Sequence, residues 1–189
     1  MNGENFRQTP AERAQEDAEL SEFVVKNYRR LSKSPEQALI ARTLLSSLET
    51  LIERRGWKRV FAASHNFFAW RMDDPSRHVV PDLYLLDDPP SPLPILWATW
   101  LPSHHPPRFA VEVVGKGWFK DYVLDPAMYE ELGCRELAIF DPHATPRATG
   151  IRQPVPLTVF ERTAAGKLEK VYAGEGPVWS QQLGVWLIR

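Results

Sequence analysis

The sequence predicts an α+β fold of the broad α/β class, in which a mixed central sheet is flanked by helices. Three observations predict it. Apolar residues recur at helical spacing over residues 35–54, which indicates a long amphipathic helix. A strand, helix, strand pattern over residues 108–141 predicts a right-handed crossover and hence a parallel pair of strands. Two strand-like runs, 157–162 and 168–173, flank a short turn and predict an antiparallel hairpin.

Length and composition indicate an ordinary globular protein. The chain has 189 residues, of which 43% are hydrophobic and 25% charged, enough for one domain with its own core. We expect residues 1–33 to be a polar N-terminal segment with a helix, and residues 34–189 to be a single domain. Cys134 is the only cysteine, which excludes a disulfide framework and a thiolate zinc cluster.

Charge and hydropathy limit the classes of binding partner that the sequence allows. A formal net charge of −1 is not that of a protein that coats nucleic acid non-specifically, so a nucleic-acid enzyme would need a local basic patch. No apolar run is long enough to span a bilayer, and the N-terminus lacks a signal-peptide core. We therefore expect a cytoplasmic protein without a membrane partner.

The first half of the chain is predicted element by element. Ser34 as N-cap and Pro35 at the first helical position begin a helix that runs to about Arg54, and Gly56 ends it. Strands are predicted over 57–62, 67–72 and 79–86, with a turn at 73–76. Residues 87–107 form a long proline-rich connection, and a long ordered connection is often functional.

The second half of the chain contains the crossover connection between two predicted parallel strands. A nearly apolar central strand is predicted over 108–114, followed by a loop and a helix that Asp121 or Asp125 caps and Gly133 ends. Strands follow over 136–140, 157–162, 168–173 and 185–188.

Two acidic residues lie in or beside apolar strands. Asp82 follows Pro81, and Glu112 interrupts the run from Phe109 to Val114. A buried carboxylate is costly unless something pairs with it, and two on neighbouring strands can share a divalent cation. The alternatives are that Asp82 caps a turn and that Glu112 pairs with a buried arginine. We favour the functional interpretation for Glu112 and leave both open for Asp82.

Four motifs occur in order along the chain: Val80-Pro81-Asp82-Leu-Tyr-Leu, Phe109-Ala-Val-Glu112-Val-Val, Lys120-Asp121-Tyr with Pro126-Ala-Met-Tyr129 and Gly133, and Glu136-Leu-Ala-Ile-Phe-Asp141-Pro142. Together they resemble the Uma-type family of putative restriction endonucleases, within the restriction-endonuclease-like PD-(D/E)XK superfamily. The resemblance covers residues 34–189 approximately, and Ser64-His65-Asn66 agrees with it.

The resemblance implies a restriction-endonuclease-like core in which Asp82 and Glu112 hold Mg²⁺ or Mn²⁺, with the carbonyl of Val113 as a third ligand. The superfamily pattern places a lysine two positions after the second acid, where this chain has Val114. Family members often carry the lysine on the next helix instead, at a position where this chain has Asp125.

Two other lysines are candidates to assist the attacking water, namely Lys120 and Lys116, and Lys120 is preferred because the family's helix begins there. Glu36 on the first long helix and Asp121 are candidates to support the site, and Asp125 is interpreted as a helix cap. His65 could face the site, although a polar surface turn is the favoured interpretation.

Two functions follow from these residues. The first is a metal-dependent endonuclease that hydrolyses DNA phosphodiester bonds. The alternative is a catalytically lapsed nuclease fold that acts as a binding or protein-interaction module, which the missing lysine favours. The aromatic residues Trp179 and Trp186 leave apolar area to cover, so a homodimer stays open as well.

Overall fold

The computed structural model describes residues 34–74, 76–115, 119–144 and 154–189, together with residues 15, 18, 19, 22, 24 and 26. Its contacts divide the chain into two units, residues 1–32 and 33–189, and the fold below is that of the second unit.

Within these residues the second unit forms two α-helices, one π-helical turn and a series of short strands. The helices are α1 (Pro35–Arg55) and α2 (Asp125–Leu132), and the π-helical turn is Lys120–Leu124. The strands are β1 (Val60–Ala63), β2 (Phe67–Ala69), β3 (His78–Val79), β4 (Leu83–Asp87), β5 (Leu96–Ala98), β6 (Phe109–Val113), β7 (Glu136–Phe140), β8 (Leu157–Arg162), β9 (Leu168–Gly174), β10 (Val178–Ser180) and β11 (Val185–Leu187).

The central sheet is mixed, as predicted. Its six strands follow the order β1-β4-β6-β7-β8-β9. Strands β6 and β7, which the crossover joins, are parallel, and the other neighbours are antiparallel. The hairpin predicted after residue 157 is the pair β8 and β9. The α+β fold with a mixed central sheet that the sequence predicts is therefore confirmed.

Two small sheets accompany the central one. Strand β2 pairs with β3 and, in parallel, with β5, and β10 pairs with β11. The sequence analysis treated residues 87–107 as a connection, so it missed β5. That strand has only three residues, too few to show a periodicity, and its partner β2 lies far away in sequence.

Helix α1 begins and ends where its capping residues indicate. The Ser34 hydroxyl accepts a hydrogen bond from the Gln37 N–H, and the Gln37 side chain accepts one from the Ser34 N–H, which completes a capping box. Gly56 ends the helix in the left-handed conformation, with φ of 62°. The helix packs its apolar stripe, including Leu48, on one face of the central sheet.

Strand β6 distributes its side chains between the two faces of the sheet. Phe109, Val111 and Val113 belong to the apolar cluster on the α1 side. Ala110 belongs to the cluster on the α2 side, which includes Tyr129. Because side chains alternate along a strand, Glu112 shares the face of Ala110 and points toward α2. None of the helices among the described residues is long and apolar enough to cross a membrane.

Candidate active site

Glu112 lies in the middle of the central sheet and is 1% exposed. Its Oε1 atom accepts a hydrogen bond of 2.7 Å from the hydroxyl of Tyr129 on α2. Its Oε2 atom lies 3.9 Å from Nζ of Lys120. A carboxylate at this depth requires donors or a cation nearby. The fold supplies both from the crossover segment, which returns over this face of the sheet.

Three buried carboxylates converge around Lys120. Its Nζ atom lies 2.5 Å from Oδ2 of Asp125 and 3.1 Å from Oδ1 of Asp121. Glu112, Asp121 and Asp125 each offer an oxygen atom, and these atoms all lie within 4.8 Å of one another. Burial by itself lowers the pKa of Lys120, but the charges of the three carboxylates outweigh it and raise the pKa above its ordinary value. Lys120 is therefore a cation held among acids.

The π-helical turn explains why Lys120 and Asp125 meet. The Asp125 N–H donates to the Lys120 carbonyl, five residues earlier, so the two residues lie one above the other. Asp125 is already the first residue of α2, and Leu124 occupies the N-cap position without a side-chain capping bond. The interpretation of Asp125 as a helix cap is therefore wrong. Asp121 does not cap α2 either, because its Oδ2 accepts a hydrogen bond from the Gly115 N–H.

Asp82 directly precedes β4, the strand that neighbours β6. The register pairs Leu83 with Val111, so one step further places Asp82 opposite Glu112 and on the same face. Asp82 is completely buried, and its Oδ2 atom accepts a hydrogen bond of 2.8 Å from the Val113 N–H. The carboxylate is thus fixed against β6. The structure brings the two predicted acids together at one point of the sheet.

The carbonyl of Val113 and the start of α1 meet behind these acids. The Gln37 side chain donates a hydrogen bond of 2.9 Å to the Val113 carbonyl. Glu36, the predicted supporting residue, instead lies 2.9 Å from Nε2 of His143, and both side chains are exposed. The sequence analysis missed Gln37. Its place in the capping box was the available signal, because a capping-box side chain turns back to the helix start.

Position 114 is apolar for a structural reason. Val114 is buried in the cluster that also contains Tyr129, on the α2 side of the sheet. The ammonium group near Glu112 therefore comes from Lys120 on the crossover. The second lysine candidate, Lys116, lies outside the described residues.

His65 and Asn66 are half-buried in the segment between β1 and β2, and both side chains contact buried residues. His65 Nε2 lies 3.4 Å from Asp82 Oδ1, and the His65 side chain is 28% exposed. The Asn66 side chain accepts a hydrogen bond of 2.8 Å from the Tyr84 hydroxyl. That hydroxyl in turn accepts one from the indole N–H of Trp97.

The donor atoms of this site fit a hard divalent cation. Glu112, Asp121 and Asp125 provide carboxylate oxygens, the ligands that Mg²⁺ and Mn²⁺ prefer. Asp82 is a further buried carboxylate, bound to the N–H of Val113 next to Glu112.

Comparison with known proteins identifies the fold class first. The chain is similar to a structure titled a putative nuclease belonging to DUF820 from Anabaena variabilis, with a TM-score of 0.54 and 12% sequence identity. The match covers 82% of this chain and 79% of the other. At that identity the likeness shows a shared fold alone.

The family follows from the sequence itself. The chain belongs to the Uma2 family, described as "Putative restriction endonuclease", whose model matches residues 6–186. The resemblance expected from the four motifs is therefore confirmed. A search of the curated proteins found no match.

Proposed function

We propose that the protein is a metal-dependent endonuclease that hydrolyses DNA phosphodiester bonds. The observation that carries the proposal is the convergence of buried carboxylates from β6 and the crossover around one lysine, next to Asp82. Membership in a family described as restriction endonucleases, and the nuclease fold, support it.

Asp82, Glu112 and the Val113 carbonyl would hold Mg²⁺ or Mn²⁺, with Asp121 in support. When bound, such an ion polarises the phosphate and lowers the pKa of a water molecule that it binds. The protein contributes orientation. The Val113 N–H fixes one oxygen of Asp82, and the Tyr129 hydroxyl fixes one oxygen of Glu112.

Lys120 supplies positive charge at the same point. Because its neighbours raise its pKa, Lys120 stays protonated at neutral pH and acts as a hydrogen-bond donor rather than as a base. A fixed ammonium group next to the reacting phosphate orients the attacking water and stabilises the negative charge that develops in the transition state. Asp121 and Asp125 hold that group near Glu112.

A second candidate is a nuclease fold that has lost catalysis and acts as a binding module. Two observations favour it: the site already contains its own cation, and Val114 occupies the usual lysine position. Metal binding and DNA cleavage therefore have to be measured separately.

The first measurement is calorimetric titration of Mg²⁺ and Mn²⁺ into the wild type and into the Asp82→Ala, Glu112→Ala double variant, with folding checked by circular dichroism. We expect binding to the wild type and none to a folded double variant. A folded wild type that binds neither ion would contradict the proposed nuclease and would support the second candidate, a binding module without catalysis.

The second measurement is nicking of supercoiled plasmid by the wild type, Lys120→Met and Lys170→Met, with Mn²⁺ or Mg²⁺. Lys170 is an exposed lysine on β9 and provides the matched control. We expect Lys120→Met to lose about 10²- to 10³-fold in cleavage rate, the usual cost of removing a preorganised donor. Lys170→Met should cleave like the wild type. A wild type that binds metal but cleaves no DNA would support the lapsed fold instead.

A further inference from the structure

We propose that His65 is a metal ligand of this site: its Nε2 atom and Asp82 Oδ1 bind one divalent cation. The inference rests on the proposed function and deepens it, because an imidazole ligand favours Mn²⁺ and similar transition metals over Mg²⁺.

The separation of the two atoms carries the argument. Nε2 of His65 lies 3.4 Å from Oδ1 of Asp82, which is longer than an ordinary N–H···O hydrogen bond of about 2.9 Å. Two adjacent ligands bound to one ion at about 2.0–2.2 Å lie roughly 3.0–3.5 Å apart. This spacing matches that of two ligands of a common ion, and it also allows a direct contact between the imidazole and the carboxylate.

The backbone holds the imidazole in this position. His65 adopts the left-handed conformation, with φ of 60°, which is uncommon for a residue other than glycine. Its N–H donates a hydrogen bond of 3.0 Å to the carbonyl of Pro81, directly before Asp82. A strained residue that is fixed against the segment carrying a candidate ligand is typical of a functional site.

The next residue adds a second anchor. Asn66 is bound to the buried hydroxyl of Tyr84, which the indole of Trp97 also contacts. Both aromatic rings are at most 1% exposed, so this anchor is rigid. The His65 ring itself is 28% exposed, so an ion can reach it from solvent.

The ligand type determines the preferred metal. Mg²⁺ takes oxygen ligands almost exclusively, whereas imidazole suits transition metals, whose affinity for nitrogen donors rises along the first row. A site with Asp82 but without the imidazole would not favour transition metals over Mg²⁺ in this way. The pair of Asp82 and His65 therefore predicts tighter binding of Mn²⁺ than of Mg²⁺.

The test is pulsed electron paramagnetic resonance of Mn²⁺ bound to the full-length protein, which detects a directly bound imidazole through ¹⁴N modulation. Calorimetric titration of Mn²⁺ and of Mg²⁺ accompanies it. The variants are His65→Asn and His105→Asn. Asparagine tolerates the left-handed conformation, so His65→Asn removes the ring and keeps the backbone. His105 is exposed in the proline-rich connection and provides the matched control.

We expect ¹⁴N modulation in the wild type and in His105→Asn, and none in His65→Asn. Mn²⁺ affinity of His65→Asn should fall at least about tenfold, since even partners of metal ligands contribute 10- to 100-fold. Its Mg²⁺ affinity should not change.

Bound Mn²⁺ without ¹⁴N modulation in the wild type would overturn the role of His65 and leave the proposed nuclease standing. This measurement needs no variant, so it decides the matter even if His65→Asn does not fold. A folded His65→Asn with unchanged Mn²⁺ affinity would overturn it too. Failure of the wild type to bind any ion would overturn the proposed nuclease as well. This outcome differs from bound Mn²⁺ without ¹⁴N modulation, which overturns the role of His65 alone.

Discussion

Glu112 in β6 and Glu136 in the neighbouring strand β7 are two glutamates in nearly the same setting. Both belong to short apolar strands of the central sheet, and they are 1% and 0% exposed. They differ in the face of the sheet that they occupy and in their position along the strand. Glu112 points toward α2 near the C-terminal end of β6, whereas Glu136, at the first position of β7, shares the α1 face with Ala138.

Their partners differ in kind. Glu112 meets a lysine and lies within 4.8 Å of the oxygens of two further carboxylates. Glu136 accepts a hydrogen bond of 2.9 Å from the Gln182 backbone N–H and interacts with the Ser180 hydroxyl, so it fastens the β10–β11 hairpin to β7.

The difference separates a site from a structural contact. A buried acid that accepts hydrogen bonds from neutral donors is explained by its structural contacts, because these bonds replace its hydration. Several ionisable groups of mixed sign at one point are costly to assemble, and such clusters of perturbed groups mark functional sites. Burial alone does not distinguish the two glutamates.

The largest expected effect comes from exchanging each glutamate for glutamine. Glu112→Gln should reduce DNA cleavage by at least about 10³-fold, because it removes a proposed metal ligand and a metal ion supplies several kcal/mol of transition-state stabilisation. Glu136→Gln should cleave like the wild type. Plasmid nicking by the two folded variants measures both, and an equal loss in both would break the comparison.

A smaller effect is expected at the hydroxyl that orients Glu112. Tyr129→Phe removes the 2.7 Å hydrogen bond to Oε1 and leaves the ring in the core. A hydrogen bond to a charged group contributes about 1.5–3 kcal/mol, so we expect a loss of that size in the free energy of unfolding. Cleavage should fall about tenfold, as for partners that orient metal ligands.

Tyr172→Phe is the matched control for this change. The Tyr172 hydroxyl donates to the carbonyl of Gly176 in an exposed hydrogen bond, remote in sequence from the acids. Urea unfolding and plasmid nicking of both variants separate stability from activity. Normal cleavage in Tyr129→Phe would show that Glu112 needs no orientation by α2.

The elements that sequence reasoning recovered have caps or several turns of periodic pattern. Helix α1 carries Ser34 and Gly56 at its ends, and the parallel pair β6 and β7 follows from the crossover rule. Strands β5 and β10 were missed because each has only three residues, and the pairing partner of β5 is distant in sequence. Short strands of this kind are defined by tertiary contacts rather than by their own pattern.

The residues that meet at the candidate site could be predicted only in part, for a similar reason. Asp82 and Glu112 stand out as acids in or beside apolar strands, and Lys120 lies where the crossover helix was expected. Asp125 was misread because an acid before proline usually starts a helix, and nothing in the sequence reveals the π-helical turn that aligns it with Lys120. Glu136 shows that the argument from apolar neighbours was incomplete, since it applies equally to a structural acid.

The smallest effect is a dependence of stability on pH that the Glu136 carboxyl should produce. Burial raises the pKa of the Glu136 carboxyl above its ordinary value, because the charged form loses its hydration. As pH rises from the unfolded-state pKa to the folded-state pKa, the native state binds more protons than the unfolded chain, so the free energy of unfolding decreases. Glu136→Gln cannot titrate and should lack this component.

The difference between Glu136→Gln and the wild type should therefore grow in favour of the variant over that window, by about 1.4 kcal/mol for each unit by which burial raises the pKa. Urea unfolding of both proteins from pH 4.5 to pH 8 measures it. Glu169→Gln, an exposed position on β9, should follow the wild type at every pH. A difference that stays constant with pH would show that the neutral donors around Glu136 fully offset its burial, and the contrast with Glu112 would then be sharper still.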